Sequence, residues 1–291
     1  MHKKFQLRPC VIFSCLLAWS FLMSGTSPAS AEQGSKWKIF PASDVFPALV
    51  ADPKEPRFFV SVHEYDNEFR DNFTGASVGF GENFGLLKKR ISNRHAWQLS
   101  LKGGLFSQFD LDTSSQDLLN SDYNIGLSWT YRFRQIGMRL RLYHQSSHLG
   151  DEYLLRQPNL AETRANFDYE ALDWLGAYTW NKFRTYAGLH YLLQRDPDDL
   201  DRWGYHGGIE YRGTDDILAR AGFIAGLDVK GFQELAWTPA YSLKAGLNFS
   251  NINQRNRHIQ VMLEYYNGFI PYGQFYDNDM ESYGIGIYFG L

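Results

Sequence analysis

A strict alternation of apolar and polar residues constrains this chain more than any other feature. Between Tyr123 and Phe133 every second residue is aliphatic or aromatic, and the residues between them are small or polar. This period of two is that of a β-strand with one apolar and one polar face. Similar segments recur down the chain, with apolar faces that begin near positions 58, 76, 97, 123, 138, 172, 183, 203, 221, 241, 259 and 283. We therefore expect an all-β fold.

The number and spacing of these segments predict a transmembrane antiparallel β-barrel of about 12 strands. A strand that crosses a bilayer needs about 9 to 11 tilted residues, and the sheet must close so that no backbone edge faces lipid. Aromatic residues lie near the ends of the segments, as they do at membrane interfaces. A periplasmic β-sandwich or a soluble barrel is the alternative. We expect residues 58–291 to form the barrel.

The first 57 residues have a different pattern. Residues 1–31 have a basic start, an apolar run and a final Ala29-Ser30-Ala31, which predicts a cleavable export signal. Residues 32–57 carry four prolines, which favour extended or turning backbone. We expect this stretch to be a periplasmic lead that docks on the barrel mouth. The predicted location is the outer membrane of a Gram-negative bacterium.

Composition excludes several kinds of site. Both cysteines, Cys10 and Cys15, lie in the predicted signal, so the mature chain would have no disulfide and no thiol nucleophile. Loss of the signal leaves 26 basic and 32 acidic residues, a net charge of −6. We therefore expect no nucleic-acid partner.

Connection lengths predict how the barrel is oriented. The inner turns are predicted at 84–94, 135–137, 181–182, 212–216 and 251–257, and the outer loops at 108–121, 147–166, 196–201, 230–239 and 267–282. Outer loops of such barrels are the longer ones. The C-terminal residues 286–291 resemble the terminal-strand signal that the barrel assembly machinery reads, so we expect that machinery to be a partner.

The inward faces of the strands carry large polar residues, among them Lys102, Arg139, Arg184, Glu210 and Lys244. Such side chains fill a barrel of about twelve strands, so we expect no wide pore. A narrow passage is the remaining alternative. His190 and His206 on adjacent strands could share a metal or belong to a lumen hydrogen-bond network.

One segment could carry chemistry. If the alternation of the fifth strand continues past Leu142, His144 and Ser146 lie on its outward face at the outer rim. A histidine beside a serine is the arrangement of a base-activated nucleophile, and acyl transfer on lipid would be its chemistry. A third group must orient the histidine, and Asn159, Asn166, Asp168 and Glu170 are the candidates. Alternatively, both residues are only polar groups at the headgroup level, or a bulge turns His144 inward.

His144-Gln145-Ser146 and the strand count resemble outer-membrane phospholipase A, a family of twelve-stranded barrels with a His-x-Ser pair on the outer wall. The resemblance implies His144 and Ser146 as catalytic residues, with Asn159 as the approximate counterpart of the family's asparagine. It also implies calcium, bound in a homodimer, for which Asp151 and Glu152 are the candidate ligands. Acidic outer loops at 196–201 and 277–281 could also bind calcium or magnesium, or be solvated loops.

Residues 46–58 and 146–153 resemble an uncharacterised family of Gram-negative envelope proteins, which implies export and a barrel but no activity. Our first hypothesis is therefore a noncatalytic outer-membrane barrel with a structural, surface-binding or narrow-passage role. The alternative is a lipid esterase or deacylase of the outer leaflet, acting on outer-membrane lipid or lipopolysaccharide.

Overall fold

The computed structural model describes residues 37–67, 70–156, 167–213, 221–249 and 258–290. None of the helices in this part of the chain is long and apolar enough to cross a membrane. The strands are β1 (Trp37–Ile39), β2 (Phe58–Asn67), β3 (Arg70–Ser92), β4 (His95–Asp110), β5 (Leu118–Phe133), β6 (Ile136–Leu149), β7 (Phe167–Trp180), β8 (Phe183–Asp196), β9 (Trp203–Arg212), β10 (Ala221–Phe232), β11 (Ala240–Phe249), β12 (His258–Phe269) and β13 (Asp279–Gly290). The helical segments are α1 (Asp151–Arg156) and two 3₁₀ turns, η1 (Gln233–Leu235) and η2 (Gly273–Phe275).

Strands β2–β13 form a closed barrel in which each strand pairs antiparallel with its neighbours in sequence. Pairing of β13 with β2, from Phe289 opposite Phe58 to Met280 opposite Asn67, closes the ring. The twelve strands correspond one for one to the twelve alternating segments, which confirms the predicted fold class. Strand β1 pairs antiparallel with the C-terminal part of β3, where Trp37 lies opposite Lys89.

The two ends of the barrel differ in their connections. We call the end that holds the start of β2 and the end of β13 the terminal end, and the opposite one the loop end. The connections at the terminal end span residues 93–94, 134–135, 181–182, 213–220 and 250–257, whereas those at the loop end span 68–69, 111–117, 150–166, 197–202, 233–239 and 270–278. Most loop-end connections are long and three of the five terminal-end ones have two residues, which agrees with the predicted orientation. Residues 68–69, 214–220 and 250–257, which include one predicted inner turn and most of another, lie outside the described residues.

One predicted turn is wrong. The sequence indicated an inner turn over residues 84–94, but β3 and β4 stay paired as far as Ser92 opposite His95. The register between these strands shifts between Gly85 and Leu87, which marks an irregularity of the β-bulge type. Such a shift interrupts the alternation, so a pattern with period two ends there while the strand continues.

The outer wall is apolar, as expected for a surface in contact with lipid. Ile125 and Leu127 of β5 are 57% and 49% exposed, and Leu140 and Leu142 of β6 are also exposed. Arg139 and Arg141, which alternate with these leucines along β6, are buried on the inward face. An exposed apolar band of this extent would aggregate in water, and it is the surface expected of a transmembrane barrel.

The lumen is occupied by residues 40–57, which we call the lead segment. It enters from β1 at the terminal end, rises into the lumen and returns to the start of β2. Leu49, Val50 and Ala51 are fully buried. Lys54 pairs with Asp122 near the loop end of β5, and Asp52 Oδ1 lies 2.5 Å from Lys230 Nζ near the loop end of β10. The lead segment therefore reaches deeper than the mouth docking that the sequence predicted.

Polar contacts from several strands hold the lead segment in place. Glu55, with no exposed side-chain surface, accepts hydrogen bonds from Lys102 and from Arg139, whose Nη1 lies 2.9 Å from Oε2. Glu210 Oε1 accepts a bond of 2.7 Å from the backbone N–H of Val50. Arg184 Nη1 donates to the carbonyl oxygen of Pro47 over 2.9 Å. Several buried charges of the lumen thus have partners on the lead segment, and an unpaired buried charge would be costly.

Candidate functional site

The outward face of β6 changes from apolar to polar at its loop-end half. Leu140 and Leu142 are followed on that face by His144 and Ser146, while Gln145 between them is buried on the lumen side. Strand β6 pairs with β5 from Ile136 to Leu149 without a shift of register. The alternative in which a bulge turns His144 inward is therefore wrong, and 44% of the His144 side chain is exposed.

Glu170 on the neighbouring strand orients the His144 ring. The two residues lie directly opposite each other in the β6–β7 register, and His144 Nδ1 is 3.0 Å from Glu170 Oε1. Since the carboxylate is an acceptor, Nδ1 carries the hydrogen and Nε2 is left as the basic nitrogen. Of the other predicted orienting residues, Asn159 and Asn166 lie outside the described residues, and Asp168 lies opposite Ser146.

Ser146 lies on the same face as His144, two residues further toward the loop end. It is paired with Tyr123 of β5 on one side and with Asp168 of β7 on the other. Within the described residues, no hydrogen bond joins its hydroxyl to His144, but residues i and i+2 of one strand point the same way. We call His144, Ser146 and Glu170 the outer-wall cluster.

The cluster lies at the border of the apolar wall. Tyr123 and Ile125, the β5 partners of Ser146 and His144, are 49% and 57% exposed. Trp174, which lies on the same face of β7 as Glu170, is also exposed. Polar side chains next to exposed aromatic residues occupy the interfacial level of a membrane barrel, where lipid headgroups and ester bonds lie.

Ser147 and Asp122 form hydrogen bonds that stabilise the loop end of the barrel. Ser147 points into the barrel, is almost fully buried and donates a bond of 2.9 Å to Asn120 Oδ1. Asp122 accepts a bond of 3.1 Å from the backbone N–H of Gly273 in η2. The bond from Gly273 fastens the loop 270–278 onto β5, and Gln274 Nε2 fastens it onto β6 by donating to the carbonyl oxygen of Ser147 over 3.3 Å.

The predicted metal ligands remain predictions. Asp151 and Glu152 form the exposed first turn of α1. In the part of the chain that the structure describes, no group of three or more His, Cys, Asp or Glu side chains is arranged to hold a metal ion. The acidic loop residues 196–201 and 277–281 therefore form no such group either.

The two lumen histidines have separate environments. His206 Nε2 lies 2.6 Å from Asp228 Oδ2, which also accepts a hydrogen bond of 2.5 Å from Tyr186. His190 instead packs among the rings of Tyr143, Tyr169 and Phe232. His206 therefore belongs to a hydrogen-bond network, which was one of the two sequence alternatives. From the sequence, Glu170 is only one of four candidates, because a long loop separates β6 from β7 and leaves their register open.

Comparisons with known proteins agree with this architecture. The chain resembles the outer membrane phospholipase (OMPLA) dimer of Salmonella typhi, solved with bound calcium, with a TM-score of 0.55 and 11% identity over 82% of this chain and 94% of that chain. It also resembles the Escherichia coli outer membrane phospholipase A, with a TM-score of 0.54 and 12% identity over 80% of this chain and 92% of that chain. At such identities the likeness concerns the fold, which is that of outer-membrane barrels.

A comparison with curated proteins finds no match. The model of a family of proteins of unknown function, DUF1207, matches residues 27–291, which include the whole of the predicted mature chain. That match agrees with the resemblance to an uncharacterised envelope family carried by residues 46–58 and 146–153. On this ground the chain belongs to the DUF1207 family.

Proposed function

We propose that this protein is a lipid acyl hydrolase of the outer membrane, with Ser146 as nucleophile, His144 as base and Glu170 as the residue that orients His144. The observation that supports it most is the contact of 3.0 Å between His144 Nδ1 and Glu170 Oε1 on the lipid-facing wall. A histidine oriented by a carboxylate beside a serine has the parts of a hydrolytic triad, which is recognised by geometry rather than by sequence order.

The chemistry follows from the positions of these groups. Ser146 Oγ attacks the ester carbonyl carbon while His144 Nε2 takes the hydroxyl proton. The ester C–O bond breaks, and His144 returns the proton to the oxygen of the leaving alcohol. Water then attacks the acyl-serine with His144 again as base, which releases a fatty acid and restores Ser146. Glu170 stabilises the imidazolium that forms in each step.

The substrate class follows from the position of the cluster. An exposed site next to Tyr123 and Ile125 meets acyl esters where the lipid tails join the headgroups. Both phospholipids and the acylated sugars of lipopolysaccharide carry such esters in the outer leaflet, so both are substrates to test. Calcium and homodimer formation belong to the proposal because the resembling phospholipase is a calcium-bound dimer in its structure.

A passage role has less support. The lead segment occupies the lumen, and Glu55, Lys102 and Arg139 form a buried cluster across it. A passage would require the lead segment to leave the lumen. Lys102 and Arg139 would then lose Glu55, the acidic partner that the lead segment provides. A purely structural role predicts no turnover at all, and the experiment below separates it from the proposal.

The test is hydrolysis by the refolded mature protein in mixed micelles, with phospholipid and with lipid A as separate substrates, each with calcium and with EDTA. We expect fatty acid release that falls by about 1,000-fold or more in Ser146→Ala and His144→Ala. Glu170→Ala lowers turnover and Glu170→Gln does not restore it, because an amide does not stabilise the imidazolium as a carboxylate does.

Ser147→Ala is the matched control, since Ser147 is adjacent in sequence but points into the barrel. We expect it to keep its turnover. Absence of fatty acid release with either substrate under every condition would refute the proposal. Equal loss of turnover in the Ser146 and Ser147 variants would refute the assigned nucleophile.

A further inference from the structure

A cavity of about 130 Å³ lies inside the loop end of the barrel, on the opposite side of the wall from the outer-wall cluster. Pro53 of the lead segment forms part of its floor, and residues of loops 197–202, 233–239 and 270–278 line its upper part. We call it the loop-end cavity. It is independent of the chemistry proposed above, because the outer-wall cluster faces lipid.

Aromatic rings form a large part of the wall of this cavity. Phe167, Tyr169, Phe232, Tyr266 and Tyr276 line it from three strands and one loop. Phe167 and Tyr276 stack with ring centroids 5.1 Å apart. Burial raises the pKa of Tyr276, so this phenol is neutral at physiological pH. The wall is therefore apolar and uncharged over most of its area.

Two polar side chains that line the cavity have no hydrogen-bond partner among the described residues. Gln145 of β6 is only 4% exposed, yet no partner satisfies its carboxamide. His190 of β8 touches three aromatic rings, the nearest being Phe232 with centroids 5.7 Å apart, and its ring nitrogens make no hydrogen bond. The polar atoms of Gln145 and His190 are open to the cavity, so a ligand there can form hydrogen bonds with them in place of water.

Most charged side chains near the cavity already have partners: Arg202 Nη1 donates to the carbonyl oxygen of Leu192 over 2.7 Å, and Glu234 Oε2 accepts a bond of 2.6 Å from the backbone N–H of Asp201. Lys230 Nζ lies 2.5 Å from Asp52, and Asp228 lies 2.6 Å from His206. A charged ligand would have to compete with these pairs or enter without a counter-charge, which is costly in an apolar site. The unsatisfied groups, Gln145 and His190, are neutral and can donate or accept.

From these observations we propose that the loop-end cavity binds a small uncharged hydroxyaromatic molecule of the phenol class. Its ring packs among the aromatic side chains, and its hydroxyl group bonds with Gln145, with His190 as the second polar group. The size agrees, because an apolar protein cavity of about 150 Å³ holds one benzene molecule.

The test uses the full mature protein in detergent and three probes: 4-fluorophenol, fluorobenzene and 4-fluorobenzoate. Binding is followed by the fluorine chemical shift as protein is titrated. We expect saturable binding of 4-fluorophenol, weaker binding of fluorobenzene, and no saturable shift for 4-fluorobenzoate. Partition into micelles is measured with detergent alone and subtracted.

Two variants remove the polar groups without changing side-chain size greatly. Gln145→Met should weaken 4-fluorophenol binding about fivefold, the loss expected for one neutral hydrogen bond, and leave fluorobenzene binding unchanged or tighter. His190→Phe should act in the same direction and serves if the first variant does not fold. The matched control is Gln194→Met, because Gln194 is exposed on the outer wall of β8.

Three results would overturn the proposal: no saturable shift with 4-fluorophenol, equal affinity in wild type and both cavity variants, or tighter binding of the benzoate. Ser146→Ala should bind 4-fluorophenol as the wild type does. That last measurement separates the cavity from the hydrolase, because either proposal can fail while the other holds.

Discussion

Neutralising Glu55 tests whether the lead segment is locked inside the barrel by charge. Glu55 accepts hydrogen bonds from Lys102 of β4 and from Arg139 of β6, with Arg139 Nη1 at 3.2 Å from Oε1 and 2.9 Å from Oε2. The side chains of Lys102 and Arg139 are 5% and 2% exposed, and that of Glu55 is not exposed at all, so water screens these pairs little. Glu55→Gln removes the anion between two buried cations; Arg139 keeps Asp173 at 3.4 Å, whereas Lys102 loses the carboxylate it pairs with.

Removing one partner of a buried ion pair costs about 3 to 5 kcal/mol. Glutamine keeps one acceptor oxygen, so we expect the lower part of that range. The assay is urea unfolding of the barrel in lipid vesicles at neutral pH, with EDTA present. Glu152→Gln is the matched control, because Glu152 is exposed on α1, and its midpoint should match the wild type.

A double-mutant cycle with Lys102→Met locates the effect. If the two side chains interact as described, the double variant should lose less stability than the sum of the single variants. An unfolding midpoint of Glu55→Gln equal to that of Glu152→Gln would refute the reasoning. So would strict additivity in the cycle, because the loss would then not come from this contact.

Further predictions concern the wall, the loop and the lumen. Leu127→Arg places a charge in the apolar band and should destabilise the barrel in vesicles by about 2 to 4 kcal/mol, measured by urea unfolding; an unchanged midpoint would contradict a lipid-facing wall. Gly273→Val should loosen the loop 270–278, because a Cβ there would collide with the Ser147 side chain, and limited proteolysis should then cut that loop faster than in wild type. Wild-type protein in planar bilayers should give flat current traces because the lead segment fills the lumen; discrete steps would contradict that arrangement.

The barrel strands were predictable because each has one face toward lipid and one toward a polar lumen. Because the two faces of a strand meet different surroundings, apolar and polar residues alternate along the sequence, as between Tyr123 and Phe133. The shift of register after Gly85 interrupts the alternation, so the sequence of the C-terminal part of β3 indicates a turn where the strand in fact continues.

The lead segment could not be placed from its sequence. It has no regular alternation, and its prolines indicate only that it is not a helix. Its position depends on partners far away in sequence, such as Glu55 with Arg139 and Val50 with Glu210. Close approach also needs a small partner: a Cβ on Gly226 would lie 2.9 Å from Val50 Cβ.

The candidate site was partly predictable. Alternation along β6 places His144 and Ser146 on one face, and a single strand is enough for that inference. Their third partner depends on the register of β7, which the side-chain pattern fixes only to within steps of two residues. The structure resolves this ambiguity by setting Glu170 opposite His144.

Covalent labelling of the serine tests the central proposal most directly. The refolded protein is treated with a long-chain alkyl fluorophosphonate in mixed micelles, and the modified residue is identified by mass spectrometry of its peptides. We predict an adduct on Ser146 that disappears in His144→Ala and persists in Ser147→Ala. Absence of an adduct on Ser146, or equal labelling of Ser146 in the His144 variant, would contradict an activated nucleophile on the outer wall.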